Sequence, residues 1–206
     1  ETQLLEILAG RLAAELERSV LLREVSQTAE AKRHGEQIAQ WHRDRNQLVP
    51  PLLDGWQVSG ASQVDARVLG DFHFWRVTED SQLFLATGGT QGTADCRILS
   101  SALLRGALQT QSLHNTDPGR ALQQINEAVW SSSPGDEAAN LFVARLNPSS
   151  GLLESASAGC PDAYILRPHG WEPIVQDGLG LGTQPEAVWA RQTHTIAPGD
   201  ILLVIS

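Results

Sequence analysis

Long apolar runs are missing. No stretch of the 206 residues approaches the ~18 that a membrane-spanning helix needs, and no signal-peptide pattern opens the chain. Cysteine is almost absent: Cys96 and Cys160 are too few for a disulfide framework and lack metal-ligand spacing, so a reduced cytoplasmic setting is the expectation. Basic residues are scarce, 15 Lys and Arg against 24 Asp and Glu, and the net charge of −9 argues against nucleic acid or an anionic membrane as partner, since both recruit basic patches. Proline does not occur before Pro50. The chain also begins without Met and stops directly after a strand pattern, and so reads as a piece of a longer protein.

What is present suits one domain of about 150–160 residues with an extension. The extension is residues 1–47, where the periodicity predicts one long helix. Leu5, Leu8, Leu12 and Leu16 make an apolar stripe, and Glu15, Glu17, Arg18, Arg23 and Glu24 mix signs beside it. A helix of this length is marginal unless its stripe is covered. Self-association as a coiled-coil homodimer and packing on a neighbouring domain would each cover it. Pro50-Pro51 stop the helix, and Asp54-Gly55 turn the chain into an expected strand at Trp56–Ser59, so the domain boundary is set at 47/48.

The stretch from Val68 to Leu108 organises the rest. A strand pattern around Phe72, Phe74 and Trp75 is followed by a second at Leu83–Ala86. Gly88-Gly89-Thr90-Gln91-Gly92 is glycine-rich enough to predict a sharp turn. Beyond it a helix is expected over about 95–113, with Asp95 as its cap. Asp117 and Pro118 give a well-formed start for a second helix, whose buried face is Leu122, Ile125 and Val129. Strands are then expected at Leu141–Leu146, Leu152–Ala158, Tyr164–Arg167, Trp171–Val175 and Val188–Ile196, with Ile201–Ile205 a continuous core strand. Strands, two helices, then strands give an α+β protein with two stacked sheets.

In order, Gly70-Asp71-Phe72, the strand, the Gly88–Gly92 turn and the helix resemble the SpoIIE-like branch of the metal-dependent protein phosphatases. Leu141–Asn147, Ala158-Gly159-Cys160-Pro161, Gly180-Leu181-Gly182 and Ala197–Leu203 continue the resemblance, which covers about residues 45–206. It implies an α-β-β-α sandwich of two mostly antiparallel sheets flanked by helices. It implies a bacterial signalling output domain that removes phosphate from Ser or Thr of small anti-anti-sigma-type regulator proteins. Residues 4–25 are similar to the terminal helix of GAF-like sensory domains, which makes an upstream sensor the expected neighbour of the helix.

The resemblance also implies two Mg²⁺ or Mn²⁺ ions held by carboxylates that meet at these turns. Asp71 keeps one ligand position. The bridging acid falls on Gly89, the second acid of the first motif on Phe74, and the basic residue of the turn on Thr93. A hard divalent ion needs oxygen ligands anchored by one or two carboxylates. The expectation is therefore a weak enzyme or a pseudophosphatase, with no residue assigned a catalytic role and Mn or Mg binding weak or absent. Two alternatives stand beside it: an active phosphatase with non-standard ligands, and a dimeric non-catalytic module driven by the N-terminal helix.

Other chemistry-bearing residues have plainer readings. Asp71 is equally a turn carboxylate, and Asp95 a substitute ligand or a helix cap. Thr90 would offer only its backbone carbonyl. His73, His114, His169 and His194 share no zinc spacing. Cys160 needs a neighbouring base to act as a nucleophile, and Gly88–Gly92 lacks the Lys-Ser/Thr of a P-loop.

Overall fold

The computed structural model describes residues 49–61, 70–114, 117–132, 138–159, 162–174 and 178–206, with Arg33, Glu36, Gln37, Gln40 and Asp44 ahead of them. Those five are helical and exposed. The leucine stripe of the predicted long helix, and Cys160, lie outside the described residues. Among the described residues no helix is long and apolar enough to cross a membrane.

Eight strands and two helices follow Gly70: β1 (Phe72–Val77), β2 (Leu83–Thr90), α1 (Ala94–Gln111), α2 (Pro118–Ser132), β3 (Ala139–Leu146), β4 (Leu152–Ala158), β5 (Asp162–Arg167), β6 (Gly170–Pro173), β7 (Gln192–Thr195) and β8 (Ile201–Ile205). The strands form two antiparallel sheets, β1-β2-β3-β4-β7 and β6-β5-β8.

Strand alternation assigns the two cores. From β2 and β3, Phe84, Ala86, Leu141 and Val143 point to one face, where they pack with Leu104 and Leu108 of α1 and Leu122 and Ile125 of α2. The intervening Leu83, Phe142, Ala144 and Leu146 point the other way and meet Ala163 and Ile165 of β5. β3 is thus buried on both faces, which is why Leu141–Leu146 carries an almost unbroken apolar run. The order of layers is helices, five-stranded sheet, three-stranded sheet. The described residues do not supply the fourth, helical layer of the expected sandwich.

Several expectations are corrected. Gly88 and Gly89 do not turn: β2 runs on to Thr90, because β3 pairs with it through Gly89↔Asn140 and Thr90↔Ala139. The reversal falls at Gly92, whose φ of +114° is open to glycine. Asp95 is not a cap, since Thr93 holds the N-cap position, without a side-chain hydrogen bond. Trp56–Ser59 forms only a single bridge, Leu53↔Trp56, around Gly55. Trp56 is instead anchored by its indole N–H, which donates to Pro148 O at 2.9 Å.

The strand expected over Val188–Ile196 shortens to β7, because Trp189 leaves the sheet to fill the helix-side core. β8 is not a core strand. Among the described residues it pairs with β5 alone, and it exposes every second residue, Ile201 (58%), Leu203 (39%) and Ile205 (49%). An apolar run does not reveal whether one face or two will be covered.

The α2 start is as expected: Asp117 Oδ1 accepts the Arg120 N–H at 3.1 Å, closing one of the free donors of the first turn.

Candidate functional site

The register of the β1–β2 hairpin assembles the site. Phe72 pairs with Gly88, and one residue further along Asp71 lies against Gly89. A Cβ built on Gly89 would overlap the Asp71 carboxylate oxygen Oδ1. The residue that keeps a ligand position and the glycine at the bridging position are therefore direct neighbours, as two carboxylates sharing an ion would have to be. Here only one of them has a side chain.

The residues flanking this pair, Gly70 before Asp71 and Thr90 after Gly89, both touch Arg97 in the first turns of α1. Thr90 is buried, and its hydroxyl donates to Arg97 O at 2.9 Å. Gly70 has a φ of +128°, and a Cβ there would stand 2.5 Å from Thr90 Oγ1 and 2.9 Å from Arg97 Cβ. Glycine is demanded at position 70 by both backbone and space. Half-burial pushes the Asp71 carboxyl above the usual carboxylate range, and the positive charge of Arg97 pulls against that shift.

Two other positions of the expected set carry no carboxylate, being Phe74 and Thr93. Phe74 packs on the helix-side core, its ring edge-on to Phe84 at 6.1 Å. Thr93 caps α1. Asp95 falls inside the first turn of α1. His73 stacks on Trp75 with ring centroids 4.7 Å apart, and burial followed by the charge of Arg105 lowers its pKa. His114 and His169 are exposed, while His194 Nδ1 of β7 lies 3.6 Å from Glu172 of β6, in the other sheet. Among the described residues no group of three His, Cys, Asp or Glu side chains converges as a metal cage would. Among the described residues, the carboxylate at the Asp71–Gly89 position is that of Asp71, where a pair of hard divalent ions calls for more than one.

Two functional placements were not anticipated from sequence. Arg97 gave no signal, because a single Arg in a helix is ordinarily a solvated residue. Asn126 did give one: it sits at i+4 from Leu122 on the apolar stripe of α2, so its side chain had to be buried. It is fully buried and pins the chain after Leu181. Asn126 Oδ1 accepts the Gly182 N–H at 2.8 Å, and Nδ2 donates to Gln184 O at 2.8 Å and Pro185 O at 3.3 Å.

The fold is shared with solved bacterial proteins. The RsbU and RsbW domains of a Mycobacterium tuberculosis protein match at TM-score 0.58 and 19% identity, covering 65% of this chain and 38% of that one. RsbX in complex with magnesium matches at 0.56 and 17%, covering 66% and 65%. The phosphatase domain of SpoIIE from Bacillus subtilis, solved with a fragment of its regulatory domain, matches at 0.54 and 16%, covering 65% and 40%. The matched part of this chain thus spans less than two thirds of each of these three. No curated protein matches it. The family model described as Stage II sporulation protein E (SpoIIE) matches residues 80–206, from the β1–β2 turn through β8, and with the strand order and the Asp71–Gly89 hairpin now in view, this chain belongs to the SpoIIE family of the metal-dependent phosphatases.

Proposed function

We propose that residues 48–206 are a phosphatase-type output domain that binds or transmits within a bacterial signalling protein and hydrolyses phosphoesters weakly or not at all. The observation that carries this reading is the neighbour of Asp71: Gly89 stands where a second carboxylate would complete a bridging pair. Two ions activate water and neutralise phosphate only when such ligands hold them together. Asp71 by itself is the remaining ligand position and leaves any Mn²⁺ or Mg²⁺ weakly held.

The partner under this proposal is a small regulator protein of the anti-anti-sigma type, phosphorylated or not. The reading is supported by family membership and by the names of similar structures, which include RsbU and RsbW domains and a bacterial stressosome component. Residues 1–47 are proposed to be a signalling helix that joins an upstream sensor to this domain and pairs with a second copy of itself.

The test is turnover of p-nitrophenyl phosphate and of a phosphoserine-bearing regulator protein in the presence of Mn²⁺. The expected result is a rate close to that of buffer, unchanged by Asp71→Ala. Robust hydrolysis that Asp71→Ala abolishes would overturn the proposal and establish an active phosphatase with non-standard ligands.

A further inference from the structure

Arg97, in the first turns of α1, is partly buried against the end of the β1–β2 hairpin. Its carbonyl is held by the Thr90 hydroxyl at 2.9 Å, and its N–H donates to Thr93 O at 2.9 Å. Its stem runs past Gly70, with Cβ 2.9 Å and Cδ 3.5 Å from the point a Gly70 Cβ would take. Thr90 and Gly70 are the chain neighbours of Gly89 and Asp71. The backbone and stem of a positively charged residue are therefore set by the residues flanking both ligand positions, and its charge is felt at Asp71. A half-buried carboxylate is stabilised by a nearby counter-charge.

We infer that Arg97 is the resident cation of this centre: it takes the charge role beside Asp71 that a divalent ion takes in a complete site, and it excludes such an ion even when a carboxylate is restored at position 89. This rests on the reading of Gly89 as the vacant bridging position. It goes beyond that reading by making the loss of metal a matter of an occupied charge site as well as a missing ligand. A guanidinium and a divalent ion a few ångströms apart repel each other strongly wherever solvent is partly excluded. Arg stays charged at any working pH.

Position 89 accepts the experiment. Its backbone is not in the left-handed region, and the only atoms that a Cβ meets there belong to the Asp71 carboxyl group, which can rotate. The full chain and its variants would be titrated with Mn²⁺ and the free ion followed by electron paramagnetic resonance. The wild type, Gly89→Asp, and Gly89→Asp with Arg97→Lys are expected to bind weakly and alike. Gly89→Asp combined with Arg97→Met should bind at least about tenfold more tightly than Gly89→Asp alone. Arg97→Gln in the same background repeats the neutral arm with a different stem, so that a packing fault in one variant does not decide the outcome.

If Gly89→Asp alone already binds as tightly as the neutral double variants, Arg97 excludes nothing, and the inference falls while Gly89 stands as the vacant ligand. If both neutral doubles bind no better than Gly89→Asp, the inference also falls. Tight binding by the wild type would overturn this inference and the proposed function together.

Discussion

His73 shows how one side chain can make the fold sensitive to pH. It is stacked on Trp75, and burial and Arg105 both disfavour its charged form. Its folded pKa is therefore below the unfolded value of ~6.5, and the unfolded chain binds the proton more readily. The stability that comes from keeping the ring neutral is complete above the unfolded pKa and is lost as pH falls from there through the folded pKa. The melting temperature should drop as pH falls below about 6.5, and His73→Phe, which keeps the stack and cannot titrate, should flatten that drop. A thermal scan across pH checks this: identical slopes in wild type and variant would place the sensitivity elsewhere. Asp71 acts in the opposite sense. Its raised carboxyl pKa means that ionisation costs stability as pH rises through it. At this scale the sequence disclosed the residue types and their neighbours in the chain. The family resemblance brought positions 71 and 89 together, but nothing in the sequence disclosed that Arg97 lies beside them, since spacing does not state which face a helical residue occupies.

At the scale of elements, α2 and the segment after Leu181 depend on one polar residue. Asn126 satisfies a backbone N–H and two carbonyls where water has little access. Replacing it with Leu keeps the volume and strands those groups, at a cost of about 1–3 kcal/mol for the unmet donor alone. The expected outcome for Asn126→Leu is a lowered urea midpoint with an unchanged slope, read by circular dichroism. A midpoint equal to wild type would show that the segment re-pairs elsewhere. Element existence was largely legible: hairpin turns such as Asn147–Gly151, and the Asp117-Pro118 start, carry their own chemistry. Asn147 Oδ1 accepts the N–H groups of Ser149 and Ser150 at 3.0 and 3.2 Å, a local turn that needs no distant partner. Element ends were less legible. β2 extends through two glycines because β3 lies beside it, and β7 is short because Trp189 is drawn into a core made by other elements.

At the scale of the whole molecule, the charge of −9 and the leucine stripe at 5, 8, 12 and 16 act together. Net negative charge opposes association of like chains, so pairing requires a continuous apolar seam. Light scattering of the full chain should report a dimer, and Leu12→Glu, which buries a charge in that seam, should yield a monomer. A monomeric wild type at all concentrations would remove the proposed role of residues 1–47 in self-association. The same scale explains why the layers were only partly foreseen. The order of strands and helices in the chain was enough to place it in the α+β class, and the motif order enough to find the family. The burial of β8 was misjudged, because Ile201–Ile205 looks alike whether covered on one face or two.

The sequence by itself determined what is local: strand alternation, the turn chemistry and the N-cap at Asp117. Each follows from backbone geometry or side-chain type within a few residues. Tertiary structure alone decided which strand became an edge, where the glycine-rich stretch stopped being strand, and that a helix would bring Arg97 to the Asp71–Gly89 pair. Those outcomes depend on contacts between segments far apart in the chain, and the physical reason is that burial and charge pairing are settled only when the layers pack.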